Sequence, residues 1–155
     1  MYKSVEELQD SLYKGFVSNA AESRSQYLPE FLTNDKEQKR KVLTSIIDEL
    51  EKCDEFWFSV AFLTTSGVAV LMNTLLELRN RKVKGKIVVS AYLNFTQPLA
   101  LRRLLSNFTN VELRIAEQGD FHAKGYLFKR ELAYNLIIGS SNLTARALCE
   151  NKEWN

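Results

Sequence analysis

Histidine is almost missing from this chain: His122 is the only one in 155 residues. That scarcity excludes histidine-rich metal centres and leaves any imidazole-dependent chemistry one place to happen. Cysteine is nearly as rare. Cys53 and Cys149 stand far apart, form no ligand-spaced motif, and read as reduced intracellular thiols rather than a disulfide framework. No apolar run approaches the roughly 18–20 residues of a membrane span. The opening residues, Met1-Tyr2-Lys3-Ser4-Val5-Glu6-Glu7, carry no apolar core of a signal peptide. Neither sign of charge dominates: the net charge is +2, so charge alone does not predict a nucleic-acid binder. The expected setting is the cytoplasm. No repeat, low-complexity tract or interior linker interrupts the chain, so one domain is expected over residues 1–155. Lys152-Glu153-Trp154-Asn155 reads as the opening of a further segment, which makes the chain an expected piece of a longer protein.

What is present is an alternation of helical and strand patterns. Ser4 precedes Glu6 and Glu7, with Val5, Leu8, Leu12 and Phe16 at helical spacing, an N-capped amphipathic helix. Residues 18–35 are polar and interrupted by Pro29, with Tyr27, Leu28, Phe31 and Leu32 available to dock. Residues 37–52 predict a second helix with Val42, Ile46, Ile47 and Leu50 on one face. Glu55 to Phe62 is a nearly continuous apolar run, predicted as a strand buried on both faces. A helix is predicted from Thr64 to about Arg81, a strand over Gly85–Tyr92, and a short helix from Thr96 and Pro98 through Leu105. Strands follow at Val111–Ala116, His122–Lys129 and Tyr134–Ile138, then a helix at Leu143–Leu148. This order predicts an α/β sheet with helices on both faces. The last two strands follow each other directly, so they should pair antiparallel and make the sheet mixed.

The polar residues concentrate on that last hairpin. His122 and Lys124 are two apart, as are Ser140 and Asn142, and residues two apart in a strand share a face. A turn near Leu132 would set Lys124 opposite Ser140 and His122 opposite Asn142, with Cβ atoms roughly 4.5–5.5 Å apart. An imidazole, an ammonium, a hydroxyl and a carboxamide suit a phosphodiester. The lysine supplies positive charge, the serine and asparagine donate to non-bridging oxygens, and a neutral histidine can attack phosphorus. No Cys/His cluster is available to hold a metal, and none is expected.

At these residues the chain resembles the phospholipase D superfamily, whose signature is His-x-Lys-x4-Asp followed by Gly-Ser-x-Asn. His122 and Lys124 match the first part; Gly139, Ser140 and Asn142 match the second. The flanking text FSVAFLTTSGVAVL, LNFTQPLALRRLL, FHAKGYLFKRE and IIGSSNLTARAL looks like a narrower group, the phospholipase-D-like domain at the N-terminus of bacterial restriction-type superfamily II helicases. The resemblance covers essentially the whole chain. It implies a phospholipase-D-like α/β/α sandwich with a mixed central sheet, and a phosphodiesterase or nuclease acting on DNA. His122 would be the nucleophile, passing through a phosphohistidine. Lys124 and Asn142 would bind the phosphate, Ser140 would donate a hydrogen bond, and Gly139 and Ser141 are the expected supporting residues beside them. No cofactor is implied for this chemistry; ATP would belong to the helicase downstream. Family enzymes bring two such motifs to one site. This chain has one, so the resemblance implies a homodimer whose second His122 protonates the leaving oxygen.

One position departs from the signature: Lys129 stands where the aspartate belongs. Glu131 lies two residues on and is the candidate supporting carboxylate; Glu117 and Asp120 precede the histidine. An inactive DNA-binding or dimerisation module is therefore the alternative. Thr65 and Ser66 lie where a strand enters a helix, a place that often binds phosphate in open α/β sheets, though helix capping by Thr64, Thr65 and Ser66 explains them as well. Arg79, Arg81, Lys82, Lys84 and Lys86, and Lys36, Lys39, Arg40 and Lys41, read as solvated faces or as backbone contacts to nucleic acid. Phe56, Trp57 and Phe58 read as core or dimer interface. No basic amphipathic helix suggests a membrane substrate.

Overall fold

The computed structural model describes residues 29–117 and 121–155. The helix expected from Ser4 to Phe16 lies outside them, as do Tyr27, Leu28 and Asp120. The chain divides into two compact units, Met1–Phe31 and Leu32–Asn155. Only residues 29–31 of the first are described, and the second carries everything below.

Its elements run α1 (Val42–Lys52), β1 (Glu55–Val60), α2 (Thr65–Val70), α3 (Met72–Asn80), β2 (Lys84–Ser90), α4 (Pro98–Asn107), β3 (Val111–Ala116), β4 (Gly125–Arg130), β5 (Ala133–Ile138) and α5 (Ala145–Cys149). The sheet order is β3-β2-β1-β4-β5. β1, β2 and β3 pair in parallel, while β4 is antiparallel to both β1 and β5. This is the expected α/β architecture with a mixed sheet.

The strand sequences explain the core. β1 buries Phe56, Phe58 and Val60, and leaves Glu55, Trp57 and Ser59 half-buried. The expected burial on both faces is thus complete on one face only. Phe58 packs edge-on against Tyr126 at 4.9 Å and Phe128 at 5.7 Å, rings that register across from β1 on β4. Each large apolar side chain taken out of water here contributes about 1.5–3 kcal/mol. Ile46 and Leu50 of α1, Leu75 and Leu78 of α3, Leu104 of α4 and Leu148 of α5 join the same core. Among the described residues, all five helices contribute to this one core.

Two local departures have local causes. Residues 37–41 do not begin α1. Asp35 Oδ1 accepts from the N–H groups of Glu37 and Gln38, and Lys39 takes a left-handed φ of 55°, so the segment closes as a turn. The helix starts at Val42, whose N–H is capped by the buried Asn34 Oδ1 at 2.9 Å. The Asn34 amide also donates to Ala147 O and Asn151 O, both at 2.7 Å, so one side chain ties α1 to α5. The helix expected from Thr64 to Arg81 is two. The N–H of Leu71 bonds to Val68 O and Ala69 O, which tightens the chain before α3 begins.

Candidate active site

His122 and Lys124 lie just before β4, not within it. The Lys124 ammonium reaches back over the imidazole. Nζ stands 2.7 Å from Nδ1, 3.1 Å from Nε2, and 2.7 Å from the His122 carbonyl oxygen, to which it donates. Which ring nitrogen is its partner depends on the tautomer; an imidazole nitrogen that keeps its lone pair is the form a nucleophile needs. Partial burial pushes the Lys124 pKa below the ordinary lysine value, and the charge of Glu153 pulls it partly back.

The hairpin register differs by one residue from the expected one. β4 and β5 are joined by a two-residue turn, Glu131-Leu132, closed by the pair Arg130 and Ala133. Glu131 supplies the left-handed conformation, φ 53°, that such a tight turn demands. Gly125 therefore faces Ile138, and the amide of Gly139, not of Ser140, meets the Lys124 carbonyl at 3.4 Å. Neither expected opposition, Lys124 with Ser140 or His122 with Asn142, forms as a strand pair. A slip of one residue turns alternate side chains to the other face.

Two intermediaries bring the residues together instead. The first is Glu153. Its carboxylate accepts a very short hydrogen bond from the Ser140 hydroxyl, and its charge reaches Lys124. Ser140 Oγ in turn accepts from Trp154 N at 3.0 Å, and Ser140 N donates to Trp154 O at 2.9 Å. The segment 153–155, expected to open something new, is thus built into the site. Its close approach requires glycine at 139, where a Cβ would collide with the Trp154 carbonyl and lie 2.6 Å from Asn155 Cα. Ser141 is fully buried. Its carbonyl accepts from the Tyr126 hydroxyl at 2.9 Å and its Oγ accepts from Asn155 Nδ2 at 2.9 Å, so it braces the turn.

The second intermediary is Phe62. Past β1 the chain pairs in parallel with the segment after β5, through a bridge between Leu63 and Leu143. Leu143 N donates to Phe62 O and Thr64 N to Leu143 O, each at 3.2 Å. Phe62 N donates to Asn142 Oδ1 at 2.9 Å, and the Phe62 ring meets the His122 ring edge-on at 5.7 Å. A backbone N–H can only donate, so the carboxamide oxygen must face it. The amide nitrogen of Asn142 is left on the opposite side, as a donor.

The remaining candidates fall elsewhere. Thr64 Oγ1 caps α2 by accepting from Gly67 N and lies 3.0 Å from the Ser66 hydroxyl. Thr65 directs both its N–H and its hydroxyl at Gln97 Oε1, at 2.9 and 3.0 Å. Capping and loop tethering therefore account for Thr64 and Thr65. Glu131 sits at the far end of β4 from His122, and its N–H donates to Asp54 Oδ2; it does not join the site. Lys129, in the aspartate position of the signature, pairs with Glu55 at 3.3 Å across the β1–β4 ladder. In the basic stretch, Arg79 and Arg81 donate to the carbonyls of Asn107 and Glu51, and Lys86 pairs with Glu112. Cys53 and Cys149 are free thiols, Cys53 being raised to about 11 by burial. Among the described residues, no group of three or more His, Cys, Asp or Glu is placed to hold a metal, and no helix is long and apolar enough to cross a membrane.

Phe62 and Glu153 are the site residues that sequence reasoning missed. Phe62 closes an apolar run and reads as core, while Glu153 stands in no spaced motif; both act through contacts between distant segments.

In fold the chain is similar to NucT from Helicobacter pylori, with TM-score 0.59 and 17% identity over 81% of this chain and 80% of that one. It is also similar to polyphosphate kinase from Porphyromonas gingivalis, with TM-score 0.55 and 14% identity over 97% of this chain. It spans only 22% of that larger chain. No curated protein matches it in sequence. The family profile described as "Cardiolipin synthase, PLD-like domain" matches residues 46–155, a span that contains the His-x-Lys and Gly-Ser-x-Asn residues and both intermediaries. The chain belongs to the PLD-like domain family.

Proposed function

We propose that the domain is a phosphodiesterase acting on nucleic acid, DNA foremost, with His122 as nucleophile. The observation that carries this reading is the Lys124 ammonium held against the His122 imidazole, with Phe62 linking that imidazole to Asn142. A substrate phosphate would draw the ammonium from the ring onto its non-bridging oxygens and free the nitrogen to attack. The P–N bond forms as the P–O bond to the leaving strand breaks, giving a phosphohistidine. The Asn142 amide donates to the same phosphate. Ser140, whose proton goes to Glu153, contributes mainly by holding that carboxylate beside Lys124. The leaving oxygen needs a proton and the chain has no second histidine, so His122 of a second copy supplies it. Water, losing its proton to that imidazole, then attacks phosphorus and breaks the P–N bond. No metal and no organic cofactor take part. The sequence resemblance supports a place for this module in a restriction-type helicase.

The test is DNA cleavage in EDTA by the wild type and by His122→Ala. Cleavage that requires Mg²⁺, or that persists in His122→Ala, refutes the mechanism. A monomer by solution scattering at high concentration refutes the dimer.

A second reading has one observation in its favour. Lys129 occupies the aspartate position and is committed to Glu55, which fits a module that binds DNA phosphates and dimerises without cutting. Retained DNA binding with no cleavage under any condition would select it.

A further inference from the structure

Beside the imidazole runs a groove of about 580 Å³, lined in part by Phe62, Thr64, Ser66, Phe95, Arg146 and Asn151. Two phenyl rings form its apolar part: Phe95 meets Phe62 edge-on at 5.0 Å, and Phe62 meets His122 at 5.7 Å. Phe95 is 56% exposed. It is nevertheless held in place. Leu93 and Asn94 before it both adopt left-handed φ, 50° and 55°, a conformation that costs a non-glycine residue energy and persists only where the surroundings enforce it. After it, Thr96 Oγ1 donates to Ser90 O at 2.9 Å and Gln97 N donates to Leu63 O at 2.9 Å. The polar part of the groove is the hydroxyls of Thr64 and Ser66, the Asn151 carboxamide and the Arg146 guanidinium. The Arg146 side chain is 80% exposed, and its contact with Glu150 is long, at 4.0 Å.

A fixed, exposed ring two contacts from the nucleophile, with hydrogen-bonding groups and one cation around it, matches a particular ligand. A nucleobase offers a flat face to stack and an edge to hydrogen-bond, and the next phosphate offers charge to arginine. A base inside a duplex has both faces covered by its neighbours and cannot present one to Phe95. A lipid acyl chain would cover the rings but offer no charge or hydrogen-bonding edge to the exposed Arg146 guanidinium. We infer that this groove takes an unpaired base adjoining the scissile phosphate, stacked on Phe95 with Arg146 on the neighbouring phosphate, so that the substrate is single-stranded nucleic acid. The inference rests on the phosphodiester reading of the His122 site and narrows its substrate.

The experiment measures binding of the full chain to a fluorescein-labelled ten-nucleotide oligothymidylate and to the matching duplex, in EDTA. It uses the His122→Ala background, so that nothing is cut. The single strand should bind at least ten-fold more tightly than the duplex. Adding Phe95→Ala should weaken single-strand binding roughly five- to 150-fold, the range for losing one stacked base, with an unchanged melting temperature. Phe95→Trp should retain binding, with indole emission quenched on saturation. Arg146→Gln should lower the slope of log K against log salt by about 0.7. Equal binding of single strand and duplex overturns the inference, as does indifference to Phe95→Ala. Displacement of the oligonucleotide by phosphatidylglycerol vesicles that bind through Phe95 also overturns it, in favour of a lipid. His122-dependent cleavage that ignores Phe95 overturns the groove and leaves the proposed function standing. Phe95-dependent strand binding without any cleavage by the wild type supports the groove and overturns the proposed chemistry.

Discussion

The hydroxyl of Ser140 donates a hydrogen bond to the carboxylate of Glu153, and that carboxylate lies close enough to Lys124 to raise its pKa against the pull of burial. A serine from the signature motif thus acts on the lysine of the same motif through a third residue outside it. Glu153→Gln should keep the hydrogen bond and lose the charge. Lys124 must be protonated to hold a phosphate, and its pKa is already below the ordinary value. Removing Glu153 should lower it further, so phosphate binding should fall away at a lower pH on the alkaline side than in the wild type. Titration of the lysine side-chain nitrogen by NMR reads this shift directly, and a basic limb that does not move would rule out the coupling.

Restoring the signature aspartate should damage the protein. Glu55 faces residue 129 directly in the β1–β4 register, so Lys129→Asp sets two carboxylates against each other, with Asp54 one residue further along. Like charges opposed across a ladder are destabilising by some tenths to about 1 kcal/mol. The Lys129–Glu55 pair is itself partly exposed, with side chains 33% and 39% accessible, so Lys129→Ala should cost far less than Lys129→Asp. Reversing the pair, Lys129→Asp with Glu55→Lys, should recover most of the loss in a denaturant-based double-mutant cycle. Additive losses would show that the pair is incidental.

Asn142 separates stability from function. Asn142→Ala removes the acceptor for the Phe62 N–H and should cost about 1–3 kcal/mol, because that donor is partly buried. Asn142→Asp keeps the acceptor and should melt close to the wild type, yet it places a negative charge where the proposed function puts the phosphate. Oligonucleotide affinity should drop by an order of magnitude or more in Asn142→Asp. A fully binding Asn142→Asp would remove this residue from the phosphate site.

Gly139→Ala should be costly in spite of its size, since the added methyl meets the Trp154 carbonyl and the Asn155 backbone. Overpacking of this kind costs about 1–3 kcal/mol. Because the strain falls on the segment carrying Glu153, cleavage should decline more than the melting temperature predicts. Equal declines would mean that the segment merely stabilises.

The larger features were legible because they depend on local patterns. The apolar runs around Phe56–Phe58 and Ile87–Val89 announced strands, and the helical spacing of Val42, Ile46 and Leu50 announced α1. The direct succession of β4 and β5 announced a mixed sheet. Boundaries moved where one side chain overrode the pattern, as when Asp35 turned the chain and Asn34 capped α1 from eight residues away. The hairpin register hinged on whether the turn held two residues or three, and neither Glu131 nor Leu132 carries the glycine or asparagine that marks a two-residue turn. The motif residues could be found because their spacing is fixed. Phe62 and Glu153 could not, because no spacing in the chain relates position 62 to 142, or 140 to 153.

The link between Phe62 and Asn142 spans 80 positions, and the carboxylate that steadies Lys124 comes eleven residues later still. A chain emerging during synthesis exposes His122 well before either support exists. Phe62 is then not yet tied to Asn142, and the carboxylate that acts on Lys124 is still missing. The contact of Ser140 with Glu153, and with it the charge beside Lys124, therefore cannot form until the segment after α5 has been made and has closed against Gly139.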